Sequence, residues 1–204
     1  MSTPDPVAAP PTNSFAKRAL LPVAIVTAVI VAVAAGAMWQ RHHKLNFSVV
    51  EPGILYRSGQ PDGAQLRDLV AKHRIRTVIN LREMEKNRKE GKALREAAYA
   101  RQSGLILLYY PVSDTPSLQQ VQDFLALVKD PANRPVLIHC AAGKERTGMM
   151  VGIYRIVVND WSPEETRAEM LSYGYLPSKN PRYWDYVVTT AEQIKKGQAA
   201  AESR

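Results

Sequence analysis

The sequence predicts an α/β domain with a central, mostly parallel sheet flanked by helices, preceded by one N-terminal transmembrane helix. Three observations predict it. Short β-branched and leucine-rich runs alternate with segments whose apolar residues recur every three or four positions. Pro, Gly and helix-capping residues punctuate the joins, and one long uncharged stretch stands apart before them.

Residues 1–18, with Pro4, Pro6, Pro10 and Pro11, read as a disordered tail ending in Lys17-Arg18. From Ala19 to Gln40 there are 22 residues without a formal charge, close to the roughly 20 a helix needs to cross a bilayer. Trp39 sits where an interfacial ring would anchor it, so residues 19–40 are expected to form a transmembrane helix or signal anchor. Ala35-Gly36-Ala37 after Lys17-Arg18 also fits a cleaved signal peptide; the length of the run, beyond the roughly 7–15 residues of a signal h-region, favours the anchor. The expected location is the cell membrane, single-pass. Arg41 and Lys44 nearly cancel Lys17 and Arg18 as topology signals, and the short leading tail leans the following domain outside the cytoplasm. Residues 41–46 read as a linker, 47–196 as the folded domain and 197–204 as a flexible C-terminal tail.

Within the domain, Ile54-Leu55-Tyr56 is a short strand before the turn Ser58-Gly59-Gln60-Pro61. Asp62 and Gln65 form a capping pair for a helix carrying Leu66, Leu69 and Val70. Thr77 to Leu81 is a buried strand. Residues 90–103 are expected to be a helix with Ala93, Leu94, Ala97 and Ala98 on one face, and Leu105 to Tyr110 another strand. Thr115 and Pro116 are expected to open a helix bearing Leu118, Val121, Leu125 and Val128. Pro135 to His139 is the next strand, followed by a helix from about Arg146 to Val158. Ser162, Pro163 and Glu165 start a helix that Gly174 ends. Asn180 and Pro181 open the last, with Trp184, Val187, Val188, Ala191 and Ile194 inward.

Composition narrows the function. The chain of 204 residues carries a net charge of +8, which favours anionic partners. No basic recognition helix or interleaved aromatic platform is evident, so nucleic acid is not an expected partner. A single cysteine excludes an intramolecular disulfide, and His42, His43, His73 and His139 offer no zinc-ligand spacing. No metal and no cofactor are expected.

The chemistry concentrates in His139-Cys140-Ala141-Ala142-Gly143-Lys144-Glu145-Arg146-Thr147-Gly148, between a buried strand and a helix. The carboxyl end of a parallel strand feeding a helix N-terminus is where α/β proteins bind anions, because successive backbone N–H groups form a nest there. Gly143 permits a tight turn, and Gly148 close approach of helix to sheet. Helix N-termini and nearby cations can lower a thiol pKa from about 8.5 to about 3.5–7.5, so Cys140 is expected to be a thiolate nucleophile. Arg146 offers a planar fork for two phosphoryl oxygens. Thr147 is placed to hydrogen-bond the sulfur, and His139 to orient the loop.

His-Cys-x5-Arg-Thr-Gly resembles the signature of the protein tyrosine phosphatase superfamily. With Gly143-Lys144 before Arg146 it is similar to two branches: the plant and fungal atypical dual-specificity phosphatases, which act on inositol pyrophosphates, and bacterial secreted phosphatases of mixed tyrosine and phosphoinositide specificity. Tyr56-Arg57-Ser58-Gly59-Gln60-Pro61 and Val78-Ile79-Asn80-Leu81-Arg82 resemble the opening strands of both, and the likeness spans roughly 47–190. It implies a dual-specificity phosphatase-like fold over 47–196, Cys140 as nucleophile and Arg146 as phosphate binder. It also implies a cradle made by Ala141, Ala142, Gly143, Lys144, Glu145, Arg146 and Thr147. The implied substrates are phosphorylated proteins, inositol phosphates or phosphoinositides.

The general acid has two candidates. Asp114 lies on the loop before the signature, where the superfamily places an aspartate; it could instead cap the next helix. Glu145 lies inside the loop, where the bacterial branch carries an acidic residue; it could instead pair with Lys144 or a loop residue. Lys144 is a candidate contact for a second phosphate. Arg82 to Arg101 holds seven Lys/Arg against four Glu, either a pocket rim or a charged helix face. Two other functions compete: a catalytically weak phosphate-binding module, and a rhodanese-type sulfurtransferase, whose loop is commonly one residue shorter before the arginine.

Overall fold

Three neighbouring strands of this chain are buried on both faces, and the architecture follows from covering them. The computed structural model describes residues 26–33, 36, 45–83, 91–112 and 114–203. The chain divides into a first unit, Met1–Arg41, and a second, His42–Arg204. In the first, residues 26–33 are helical, with Val26, Val29, Ile30, Val31 and Val33 exposed. Most of the expected transmembrane segment lies outside the described residues, as does the N-terminal tail; among the described residues no helix is long and apolar enough to cross a membrane.

The second unit is an α/β domain around one five-stranded sheet, ordered β1-β2-β5-β3-β4. The strands are β1 (Ser48–Glu51), β2 (Leu55–Ser58), β3 (Thr77–Asn80), β4 (Ile106–Tyr109) and β5 (Val136–His139). The sheet is mixed. β2 pairs parallel with β5, β5 with β3, and β3 with β4, while β1 pairs antiparallel with β2 at one edge. β1 is absent from the sequence expectation: of its four residues only Val50 is buried, so it leaves no alternation to read.

Among the described residues, six helices flank the sheet: α1 (Gly63–His73), α2 (Lys92–Ser103), α3 (Leu118–Lys129), α4 (Glu145–Val158), α5 (Pro163–Ser172) and α6 (Arg182–Glu202). Side chains alternate across the strands, and each face has its own core. Tyr56, Val78 and Leu137 pack with Leu66, Leu69 and Ile75 on the α1 side. Ile79, Val136 and Ile138 pack on the other with Phe124 of α3, Met149 to Val157 of α4, and Val187, Ala191 and Ile194 of α6. Val136, Leu137 and Ile138 are fully buried, each contributing about 1.5–3 kcal/mol of burial free energy. Double burial is why β3 and β5 read as continuous apolar runs rather than alternating ones.

The helix starts follow local chemistry. Asp62 with Gln65, and Ser162 with Glu165, form reciprocal capping boxes as expected. The third helix departs from expectation. It begins at Leu118, capped by a Ser117–Gln120 box rather than opening at Thr115-Pro116. The second helix is rotated: it buries Ala93, Glu96 and Ala100, with Ala97 and Ala98 half-buried and Leu94 62% exposed. The α6 helix runs to Glu202, so residues 197–202, read as flexible tail, are helical.

Candidate active site

Strands β2, β3 and β5 are parallel and end on the same side of the sheet. Cys140 follows β5 directly, and residues 141–144 bend into the N-terminus of α4. Every carbonyl from Ala141 to Lys144 meets a donor. The His139 ring lies with Nδ1 3.3 Å from the Cys140 carbonyl oxygen. The Gln60 N–H donates to the Ala141 carbonyl at 3.0 Å. Asn46 Nδ2 donates to the carbonyls of Ala142 and Gly143, both at 3.3 Å, and Arg57 Nη2 to that of Gly143 at 2.8 Å. The Lys144 carbonyl receives the N–H of Gly148 inside the helix. With the carbonyls drawn outward, the amides face the other way. Among the described residues, no backbone N–H from Ala141 to Thr147 donates a hydrogen bond within the chain. Together with the orphan amides of a helix start, that is an anion nest.

Gly143 is indispensable to this bend. Its φ is +70°, and a Cβ there would lie 2.6 Å from the backbone of both Ser58 and Gly59. Gly148 departs from expectation. A Cβ there would make only ordinary contacts, 3.7 Å from Met170 and 3.9 Å from Arg57, whereas one at Gly152 would come within 3.2 Å of both Met170 and Val187.

Beneath the loop, one carboxylate gathers the ends of three strands. Glu96 Oε1 lies 2.8 Å from His139 Nε2 and accepts from Gln60 Nε2 at 3.3 Å, while Oε2 accepts from Asn80 Nδ2 at 2.7 Å. Asn80 in turn accepts the Arg82 N–H. Burial pushes the Glu96 carboxyl up, but the His139, Asn80 and Gln60 contacts outweigh it and hold the group below the usual carboxylate range. This inward pull explains the rotation of α2: Glu96 takes the buried position that apolar periodicity assigns to its neighbours.

The structure brings Cys140, Arg146 and Glu145 to the same loop. Cys140 is 3% exposed. Arg146 is held by one nitrogen, Nη1, donating to the carbonyls of Leu81 and Val112 at 3.3 Å each, beyond the ends of β3 and β4. Glu145 accepts a 2.6 Å hydrogen bond from Asn180 Nδ2. Asp114 does not cap α3: it accepts from the Tyr183 hydroxyl at 2.6 Å and from Arg182 Nη2 at 3.1 Å. Tyr183 hydrogen-bonds Asp114 and feels the charge of both acid candidates. Burial, then its bond to Asp114 and the charges of Asp114 and Glu145, push its phenol up to about 12. Thr147 differs from expectation: it is fully buried, and its Oγ1 has no hydrogen-bond partner, the Cys140 sulfur included, among the described residues. Lys144 is exposed, its stem running along Gly174. Much of the basic segment 82–101 lies outside the described residues.

Sequence reasoning missed Asn46, Glu96, Asn180 and Tyr183. Asn46 falls in the expected linker 41–46, yet it binds two loop carbonyls and that of Tyr173. Its φ of +54°, a conformation asparagine tolerates better than most residues, has no sequence signature. A glutamate inside an Ala-rich helical segment carried the one available hint of Glu96.

The chain matches, over residues 34–180, the family described as DSP-PTPase phosphatase fused to NAD+ kinase. The chain belongs to this family. It is 38% identical over 117 residues to inositol diphosphatase DSP1 of Oryza sativa subsp. japonica, covering 54% of this chain and 49% of that protein. It is 29% identical over 126 residues to the dual specificity protein phosphatase TpbA of Pseudomonas aeruginosa, covering 59% of this chain and 51% of that one. The chain thus spans about half the length of these curated relatives. The core catalytic domain of the PP-IP phosphatase SIW14 from S. cerevisiae, solved with citrate, aligns at a TM-score of 0.63 and 24% identity, covering 78% of this chain and 93% of that one. That likeness shows the shared fold of this family member.

Proposed function

We propose that this family member is a cysteine-dependent phosphatase that hydrolyses phosphate monoesters through a phosphocysteine intermediate. The observation that carries this reading is the accounting of the loop. Donors from outside it take the carbonyls of residues 141–143, and among the described residues none of its amides from Ala141 to Thr147 donates within the chain, which leaves them for an anion in the loop that carries Cys140 and leads into Arg146. A thiolate there attacks phosphorus in line. The S–P bond forms as the P–O bond to the leaving group breaks, and the leaving oxygen takes a proton from a carboxylic acid. Arg146 and the amides bear the charge on the equatorial oxygens. Water then hydrolyses the S–P bond, returning the thiolate and inorganic phosphate.

A phosphate-binding module would use the same nest without turnover. Hydrolysis of para-nitrophenyl phosphate by the full chain separates the two: turnover is expected, and phosphate binding without it would overturn the enzymatic reading. Inositol phosphates, phosphoinositides and phosphoproteins are the substrate classes, and kinship to inositol diphosphatases favours the first.

Asp114 is our first candidate for the acid and Glu145 the second. A general acid matters most when the leaving oxygen is a poor leaving group. Asp114→Asn should therefore lower kcat by about 10²-fold or more on an alkyl phosphate and far less on para-nitrophenyl phosphate, with Glu145→Gln affecting the two alike. The reverse pattern would exchange their roles.

The length of the uncharged run 19–40 supports a membrane anchor, and the short tail before it leans the domain to the side away from the cytoplasm. The full chain should sediment with membranes and resist carbonate extraction, and added protease should digest the domain in intact cells. Release by carbonate would contradict the anchor.

A further inference from the structure

Arg57 is the largest fully buried side chain among the described residues, with no exposed surface. It stands on β2, beside Ile138 of β5, two residues short of the loop. Its guanidinium carbon sits 3.9 Å from the centre of the Tyr173 ring, and Nη2 donates to the Gly143 carbonyl at 2.8 Å. Nε and Nη1 make no hydrogen bond, and no carboxylate oxygen lies within ion-pair distance among the described residues. A buried charge without a counter-ion is costly, and a cation–π contact offsets only part of that cost. Burial pulls the group down to about 10, and the charges that oppose this come from Glu169, Tyr173 and the Cys140 sulfur. Glu169 is itself committed to Arg155, 2.7 Å away.

We infer that Arg57 is a second cation of the anion site, a positioning residue that never touches substrate. It holds the Gly143 carbonyl away from the bound oxyanion and supplies, from behind the loop, a buried charge that the oxyanion balances. This rests on the reading of residues 140–146 as a phosphate site. Arg146 and Arg57 thus divide the work. Arg146 approaches from the helix start and contacts the phosphoryl oxygens; Arg57 stays beneath, and its effect reaches the anion through the loop backbone and through space. Because Arg57 and the anion compensate each other, anion binding should stabilise the fold through this residue.

The test measures inorganic phosphate binding to the full chain by calorimetry, with the gain in Tm that phosphate produces. Arg57→Met, confirmed folded by circular dichroism, is expected to weaken phosphate binding at least about tenfold and to lose most of that gain. Arg57→Lys, which keeps the charge but not the fork, should recover part of both. A residue that merely props the fold would lower the Tm of the free protein and leave phosphate affinity unchanged. A folded Met variant binding within about twofold of wild type therefore overturns the proposal. Should the Met variant not fold, wild type supplies the second measurement. The Arg57 Nε–H resonance should shift on phosphate titration with the same saturation as calorimetry, and an unmoved resonance overturns the proposal. If wild type itself binds no phosphate, the reading of the loop fails, and this proposal falls with it; binding by wild type and variant alike sinks the Arg57 role alone.

Discussion

Cys140→Ser is expected to lower kcat on para-nitrophenyl phosphate by at least about 10⁴-fold while leaving the affinity for inorganic phosphate within a few-fold. A serine hydroxyl keeps the shape of the thiol and leaves the surrounding bonds intact: the Gln60, Asn46 and Arg57 donors hold carbonyls further along the loop, and His139 meets the Cys140 carbonyl rather than its side chain. What is lost is the nucleophile, because an alcohol at this position stays protonated where the thiol is expected to be ionised. The separation matters more than the size. A variant that loses turnover and phosphate binding together would mean that the substitution collapsed the loop; one that keeps most of its turnover would remove Cys140 from the reaction. Steady-state kinetics with calorimetric phosphate binding on one preparation gives both numbers.

Arg146→Ala should weaken both properties, by about 10³-fold or more in kcat/KM and at least about tenfold in phosphate affinity. Its guanidinium is held by one nitrogen on the carbonyls of Leu81 and Val112, leaving the rest of the fork for the anion. Each charge-assisted hydrogen bond to a phosphoryl oxygen contributes about 1.5–3 kcal/mol, more as charge develops in transfer. Arg146→Lys should recover little, since a point charge cannot span two oxygens. The contrast with Cys140→Ser is diagnostic: arginine loss impairs binding and rate, cysteine loss rate alone. An alanine variant with unchanged kcat/KM would remove Arg146 from the site.

Much of this site is legible in the sequence because it is local. The strand, bend and helix start from Val136 to Arg146 are contiguous, and residue order alone sets a thiol and an arginine at a helix N-terminus. The same holds for the capping boxes at Asp62 and Ser162, where donor and acceptor are three residues apart. What stays hidden is what other elements contribute. Asn46 reaches the loop from 96 residues away, Glu96 meets His139 across 43, and Asn180 meets Glu145 across 35. Periodicity misplaces the buried face of α2 because it scores Glu96 as a surface charge, and only the fold supplies the partners that make its burial tolerable. β1 fails for the opposite reason: an edge strand with one buried residue carries almost no hydrophobic signal. Asp114 is legible as a position but not in its partners, since Arg182 and Tyr183 lie 68 and 69 residues further on.

A cysteine that is 3% exposed after a buried strand also has the look of an inert core thiol, and reactivity at its sulfur decides between the two. Full-length protein mixed with a good phosphate ester, acid-quenched within the first turnovers and digested, should yield the Cys140 peptide heavier by one phosphoryl group, in an amount that rises and decays with turnover. Rapid turnover with that peptide unmodified at every time, or with the phosphoryl group on another residue, would contradict a phosphocysteine at this site.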